Sequence, residues 1–121
     1  MATILVIDDY EADRALLKLY AEKAGHKVIE MESAIDVLES IKSQQPDLVF
    51  LDIVMPEKEG IETIVEIKGL YPELPVVVMS GMDPQYMKLA RDLGASECLP
   101  KHLIATKTAA MIQKYYNAET S

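Results

Sequence analysis

The chain has a single cysteine, Cys98, in 121 residues. An internal disulfide is therefore excluded, and a reducing, cytoplasmic setting is the expectation. No apolar run approaches the roughly 20 residues that a bilayer-spanning helix needs. No basic stretch precedes Ile4-Leu5-Val6-Ile7, and that short run ends in two aspartates, which does not fit a secretory leader. Basic residues are in the minority: twelve lysines and arginines against twenty acids leave a formal charge of −8. They form no cluster, and a protein that neutralises nucleic-acid phosphates needs one. Direct binding to nucleic acid or membrane is thus not expected. Repeats, low-complexity segments and linkers are missing too, which suits one domain over residues 1–121.

What is present is an alternation. Short apolar runs occur at Ile4-Leu5-Val6-Ile7, Val28-Ile29-Glu30-Met31, Leu48-Val49-Phe50-Leu51 and Val76-Val77-Val78-Met79, with a weak fifth at Cys98-Leu99. Each is followed by a helical pattern, which predicts βαβ units and a parallel sheet. The first, third and fourth runs carry no charge and read as interior strands covered on both faces. Lys27 and Glu30 mark the second as an edge, and Glu97 marks the fifth. The expected fold is α/β: a flavodoxin-like five-stranded parallel sheet in the order 2-1-3-4-5, with five helices on both faces.

The helices have their own punctuation. One spans about 11–24 and stops at Gly25. A second starts at Ser33, where Ser33 and Asp36 resemble a capping box. A third spans about 59–70, and a fourth opens with Asp83-Pro84 and ends near Gly94. A fifth spans about 103–116, and residues 116–121 are expected to fray.

In a sheet of this order, ligands bind at the carboxyl ends of the strands. The sequence places Asp8 and Asp9, then Asp52, Ser80 and Lys101 at successive ends. Three carboxylates in one crevice repel each other, and a hard divalent cation such as Mg²⁺ relieves this. Asp52 is then a candidate nucleophile, because a carboxylate can form an aspartyl phosphate. Mg²⁺ would hold one phosphoryl oxygen, the Lys101 ammonium a second, and the Ser80 hydroxyl with nearby amides a third. Each residue alone has a plainer reading. Asp9 could cap the first helix, Asp52 could open a turn before Met55-Pro56, Lys101 could be a solvated charge, and a lone Ser80 says little. The set carries the specificity. The tyrosines and methionines read as packing, and His26 and His102 are too isolated to suggest metal or acid–base chemistry.

Over essentially its full length the chain resembles the receiver domain of bacterial response regulators. The matching segments are Ile4-Leu5-Val6-Ile7-Asp8-Asp9, Leu51-Asp52-Ile53-Val54-Met55-Pro56 with Gly60, Val78-Met79-Ser80-Gly81, Gly94-Ala95 and Leu99-Pro100-Lys101. The resemblance implies phosphorylation of Asp52 by a histidine kinase or histidine phosphotransfer protein. It implies Mg²⁺ held by Asp9, Asp52 and the Val54 backbone carbonyl, with Asp8 acting partly through water. Ser80 and Lys101 match the family's phosphoryl-sensing hydroxyl and lysine. Catalysis would be limited to self-catalysed phosphoryl acceptance and slow self-dephosphorylation, without turnover of a substrate.

Two departures bear on output. Cys98 stands where the family often has a strand-5 aromatic residue, and His102 stands where it usually has a proline joined by a cis bond. The Lys101–His102 peptide is expected to be trans, since a non-proline cis bond costs about 2.5–4 kcal/mol. Signalling is expected through Gly81, Met82 and Asp83 to a protein target docking near the fourth and fifth helices, with Tyr86 and Met87 as anchors. The length leaves no room for an output domain, so the expectation is a stand-alone receiver or an excised fragment. Two other functions compete: an interaction module with a receiver fold that signals without phosphate, and a haloacid-dehalogenase-type phosphatase. The latter needs Asp-x-Asp after the first strand, and Asp8-Asp9-Tyr10 fails that spacing.

Overall fold

A computed structural model describes residues 1–54, 60–80 and 84–120, with side chains as far as Tyr116. In chain order the elements are β1 (Thr3–Ile7), α1 (Glu11–Lys23), β2 (Lys27–Met31), α2 (Val37–Gln44) and β3 (Leu48–Asp52). They continue with α3 (Gly60–Leu70), β4 (Val76–Ser80), α4 (Pro84–Asp92), β5 (Glu97–Pro100), a 3-10 turn (Lys101–Leu103) and α5 (Ile104–Thr120). The strands form one sheet in the order β2-β1-β3-β4-β5, and every pairing is parallel. This is the flavodoxin-like order expected from the charge-free runs. No helix among the described residues is long and apolar enough to cross a membrane.

Successive strand residues face opposite sides, so each apolar run feeds two cores. Leu5, Ile7, Val49, Leu51, Val76 and Val78 pack with Val37 and Ile41 of α2, Ile64 and Ile67 of α3 and Ala90 of α4. Ile4, Val6, Leu48, Phe50, Val77 and Met79 pack with Leu17 and Ala21 of α1 and Ile104 and Ile112 of α5. Full burial of one such aliphatic side chain stabilises by roughly 1.5–3 kcal/mol. The runs are therefore held at the centre of the sheet, and their polar ends are left at its rim. The second and fifth strands, with their charges, lie at the edges as expected. Gly25 and Gly94 adopt φ of +91° and +118°, which ends α1 and α4 where the sequence indicated. No peptide bond among the described residues is cis, so Lys101–His102 is trans as expected.

Two helix boundaries differ from the sequence reading. The second helix does not begin at Ser33. The Ser33 hydroxyl instead accepts the Ile35 N–H at 3.2 Å, closing a local turn, and α2 starts only after Asp36, which makes no side-chain cap. A serine that bonds its own neighbouring backbone competes with helix initiation. The last helix extends to Thr120, past Tyr116. Two tyrosines ahead of its end are anchored: Tyr115 Oη bonds Glu97 at 2.6 Å and the Ser96 carbonyl at 3.1 Å, and Tyr116 Oη bonds the Met1 carbonyl at 3.1 Å.

Candidate functional site at the carboxyl ends of the strands

Register brings the predicted residues together. Ile7 pairs with Leu51, Asp52 with Met79 and Ser80 with Pro100, so the polar residues that follow or end these strands share one rim. Asp8 is fully buried. Its Oδ1 accepts the Tyr10 N–H at 2.9 Å, and its backbone carbonyl accepts Arg14 Nη1 at 2.8 Å. Arg14 is in turn held by Glu30 at 3.0 Å, and Glu30 also takes Lys18 at 3.2 Å. The start of α1 is thus clamped onto the end of β1 and onto the neighbouring edge strand.

Asp52 is 4% exposed. Its Oδ1 accepts the Val54 N–H at 3.1 Å. Gly60 N–H donates to the Ile53 carbonyl at 3.0 Å, which ties the start of α3 to the residue after Asp52. Asp8, Asp9 and Asp52 each offer a carboxylate oxygen, and these oxygens lie within 4.8 Å of one another. Asp9 is exposed. The N-cap position of α1 belongs to Tyr10 and carries no side-chain cap, so Asp9 does not serve as the helix cap.

Lys101 reaches the same point from the 3-10 turn after β5. Its Nζ lies 3.2 Å from Asp52 Oδ2, 3.2 Å from Asp8 Oδ2 and 3.0 Å from Asp13 Oδ2. Asp13 did not stand out in the sequence. Its only signal there is an acidic residue in the first turn of a helix, which ordinarily complements the helix dipole. Ser80 is buried at the end of β4. Met55, Pro56, Gly81, Met82 and Asp83 lie outside the described residues.

Charge distribution follows from burial. Burial, then the charge of Asp8, raise the Asp52 carboxyl from the ordinary 3.8 to about 7, against the pull of the Val54 N–H and Lys101. Burial alone would weaken the Lys101 ammonium. The hydrogen bond to Asp13 and the charges of Asp52 and Asp8 outweigh it and hold the lysine above its usual pKa. Asp8 Oδ2 is buried and accepts no hydrogen bond, although Lys101 Nζ stands 3.2 Å away off the bonding direction. A buried carboxylate oxygen without a hydrogen bond, two further carboxylates beside it and a donor set made only of oxygen fit a hard divalent cation.

Around this rim, Tyr10 is 62% and Val54 62% exposed. On α4, Tyr86 and Leu89 are exposed, whereas Met87 is half-buried. The Met87 carbonyl accepts a 3.5 Å contact from the thiol of Cys98, which is half-buried on β5. His102 is exposed.

Comparison with known proteins agrees with this geometry. The family described as response regulator receiver domain matches residues 4–113. The chemotaxis protein CheY of Bacillus subtilis is 34% identical over 116 residues, covering 94% of this chain and 97% of that protein. The DNA-binding transcriptional regulator NtrC of Azospirillum brasilense is 32% identical over 120 residues, covering 98% of this chain and 25% of that protein. This chain spans a quarter or less of the first curated relatives that it matches. A crystal structure of a response regulator receiver domain protein from Clostridium thermocellum superposes with a TM-score of 0.91 at 29% identity, covering 99% of this chain and 98% of that one.

Proposed function

Because this chain belongs to the response regulator receiver domain family, we propose that it accepts a phosphoryl group on Asp52 in a Mg²⁺-dependent reaction. The observation that carries the reading is the grouping of Asp8, Asp9 and Asp52 oxygens within 4.8 Å beside the Lys101 ammonium. Asp8, Asp9, Asp52 and the Val54 backbone carbonyl would hold the ion. When bound, Mg²⁺ neutralises the clustered carboxylates and the charge on the transferring phosphoryl oxygens.

The remaining work falls to the chain. An Asp52 oxygen forms the bond to phosphorus as the bond from phosphorus to the leaving group breaks, and the electron pair departs with that group. Lys101 pairs with one phosphoryl oxygen and Ser80 donates to another. The donor in a cell would be a histidine kinase or a histidine phosphotransfer protein. The change would be read by a protein target docking near α4 and α5, where Tyr86 and Leu89 are exposed. The chain would catalyse its own phosphorylation and slow dephosphorylation, without turning over a separate substrate.

The test is intact-mass measurement after incubation with acetyl phosphate and Mg²⁺. One phosphoryl group should appear on the wild type and none on Asp52→Asn. A mass gain that survives in Asp52→Asn would move the acceptor elsewhere. No gain in the wild type would favour an interaction module that signals without phosphate.

A further inference from the structure

Lys101 Nζ faces three carboxylates: it donates to Asp52 Oδ2 at 3.2 Å and to Asp8 Oδ1 at 3.4 Å, and it pairs with Asp13 Oδ2 at 3.0 Å. Asp13 is the nearest, at 3.0 Å from Nζ, against 3.2 Å for both Asp8 and Asp52. Asp8 and Asp52 are buried strand-end residues with other work in the site. Asp13 stands on α1, its side chain 26% exposed, and takes no part in the reaction described above. An incoming phosphoryl oxygen must compete with these carboxylates for Nζ. We propose that Asp13 is a positioning residue that competes with the phosphoryl group for the Lys101 ammonium, slowing phosphoryl acceptance and weakening the hold on the phosphorylated state. The inference rests on the phosphoacceptor reading of Asp52.

The three carboxylates do not compete equally. Asp52 loses charge at the oxygen that becomes bonded to phosphorus, so its own hold on Nζ falls as the reaction proceeds. Asp8 is already engaged by the Tyr10 N–H and belongs to the cation-holding set. Asp13 keeps its full charge throughout. It is also fixed in place, because the adjacent Arg14 clamps the start of α1 to the Asp8 carbonyl at 2.8 Å. A competing carboxylate that neither reacts nor binds the cation is a fixed cost to any anion arriving at Lys101. It also repels the phosphodonor directly. Partial exposure screens both effects, and together they are worth roughly three- to tenfold in rate or affinity.

The experiment compares wild type with Asp13→Asn, Asp13→Ala and Asp13→Glu. Asparagine keeps the shape and an acceptor oxygen but removes the charge, alanine removes both, and glutamate restores the charge. Two quantities are read: the rate of mass gain with acetyl phosphate and Mg²⁺, and the affinity for beryllofluoride with Mg²⁺ by calorimetry. In the first, the Asp52 oxygen bonds to phosphorus and acetate leaves with the electron pair. Asp13→Asn and Asp13→Ala should each raise both quantities about three- to tenfold, and Asp13→Glu should return them toward wild type. The gap between wild type and Asp13→Asn should narrow at high salt, as a charge effect must. A slower or unchanged Asp13→Asn overturns the inference while wild-type phosphorylation stands. A glutamate variant as fast as the asparagine variant also overturns it, since packing and not charge would then be the cause. Failure of the wild type and every variant to gain a phosphoryl group defeats the phosphoacceptor reading and this inference with it.

Discussion

Gly60 sits against the backbone of Ile53: a Cβ added to Gly60 would lie 2.5 Å from Ile53 Cα and 2.7 Å from the Asp52 carbonyl oxygen. Both obstacles are main chain, so neither can swing aside as a flexible side chain would. The first residue of α3 is thereby pressed onto the end of β3, directly behind the proposed acceptor.

Gly60→Ala should therefore destabilise the protein by about 1–3 kcal/mol, the usual cost of overpacking. It should also slow phosphorylation by acetyl phosphate, because relief of the clash must move the backbone that carries Asp52. The denaturant midpoint and the rate of mass gain report the two effects. A variant that matches wild type in both would show that this close approach is not needed.

The raised Asp52 pKa makes a signed prediction about pH. Its folded value of about 7 lies above the ordinary 3.8, so the native state binds more protons than the unfolded chain between these values. Without Mg²⁺, stability from this group rises as pH falls from about 8 toward 4. Asp52→Asn should be more stable than wild type at pH 8 without metal, on the order of 1–3 kcal/mol, and the gap should close near pH 4. Urea titrations at the two pH values check this. A less stable Asp52→Asn at pH 8 would mean that Lys101 compensates the buried charge fully.

Asp9 should behave as a cation ligand. Since no side-chain bond of Asp9 caps α1, its removal costs no cap and relieves repulsion. Asp9→Ala should melt at or above the wild-type temperature without metal. A ligand that binds only the native state stabilises it by RT ln(1 + [L]/Kd), so Mg²⁺ should raise the wild-type melting temperature and that of Asp9→Ala much less. An equal gain in both proteins would remove Asp9 from the ligand set.

His26 supplies a pH dependence of opposite sign. Its Nδ1 accepts the Ala2 N–H at 3.0 Å, so that nitrogen must be unprotonated. Burial, and then the N-terminal charge, lower its pKa from 6.5. The stability it contributes is present above pH 6.5 and is lost as pH falls through the lowered folded value. In an Asp52→Asn background, where the opposing slope is gone, adding His26→Asn should flatten the stability curve below pH 6.5. An unchanged slope would assign the effect to another group.

Output is expected to bypass Cys98. The thiol is small, half-buried and in contact with the Met87 carbonyl at 3.5 Å, which suits a fixed contact better than a two-position switch. Amide exchange with and without beryllofluoride should change at residues 81–83 and little at Cys98. Larger changes along β5 would place the pathway there instead.

The amino-acid sequence by itself determined the sheet order and which polar residues gather at its rim. Charge-free runs at Ile4, Leu48 and Val76 can only be buried on both faces, while Glu30 and Glu97 need a solvated edge. A parallel sheet then brings strand ends to one rim, so Asp8, Asp9, Asp52, Ser80 and Lys101 were legible without coordinates. The tertiary structure decided what depends on the path of loops and the reach of single side chains. Ser33 turned its hydroxyl to Ile35 and delayed α2, although its spacing to Asp36 suited a cap. Tyr10 took the N-cap position, which separated the metal and capping readings of Asp9. Asp13 met Lys101 only because the 3-10 turn after β5 aims that lysine across the rim toward α1. Periodicity sets the face on which a side chain stands. Its partner is set by where distant segments end, and that is settled only when both cores have packed.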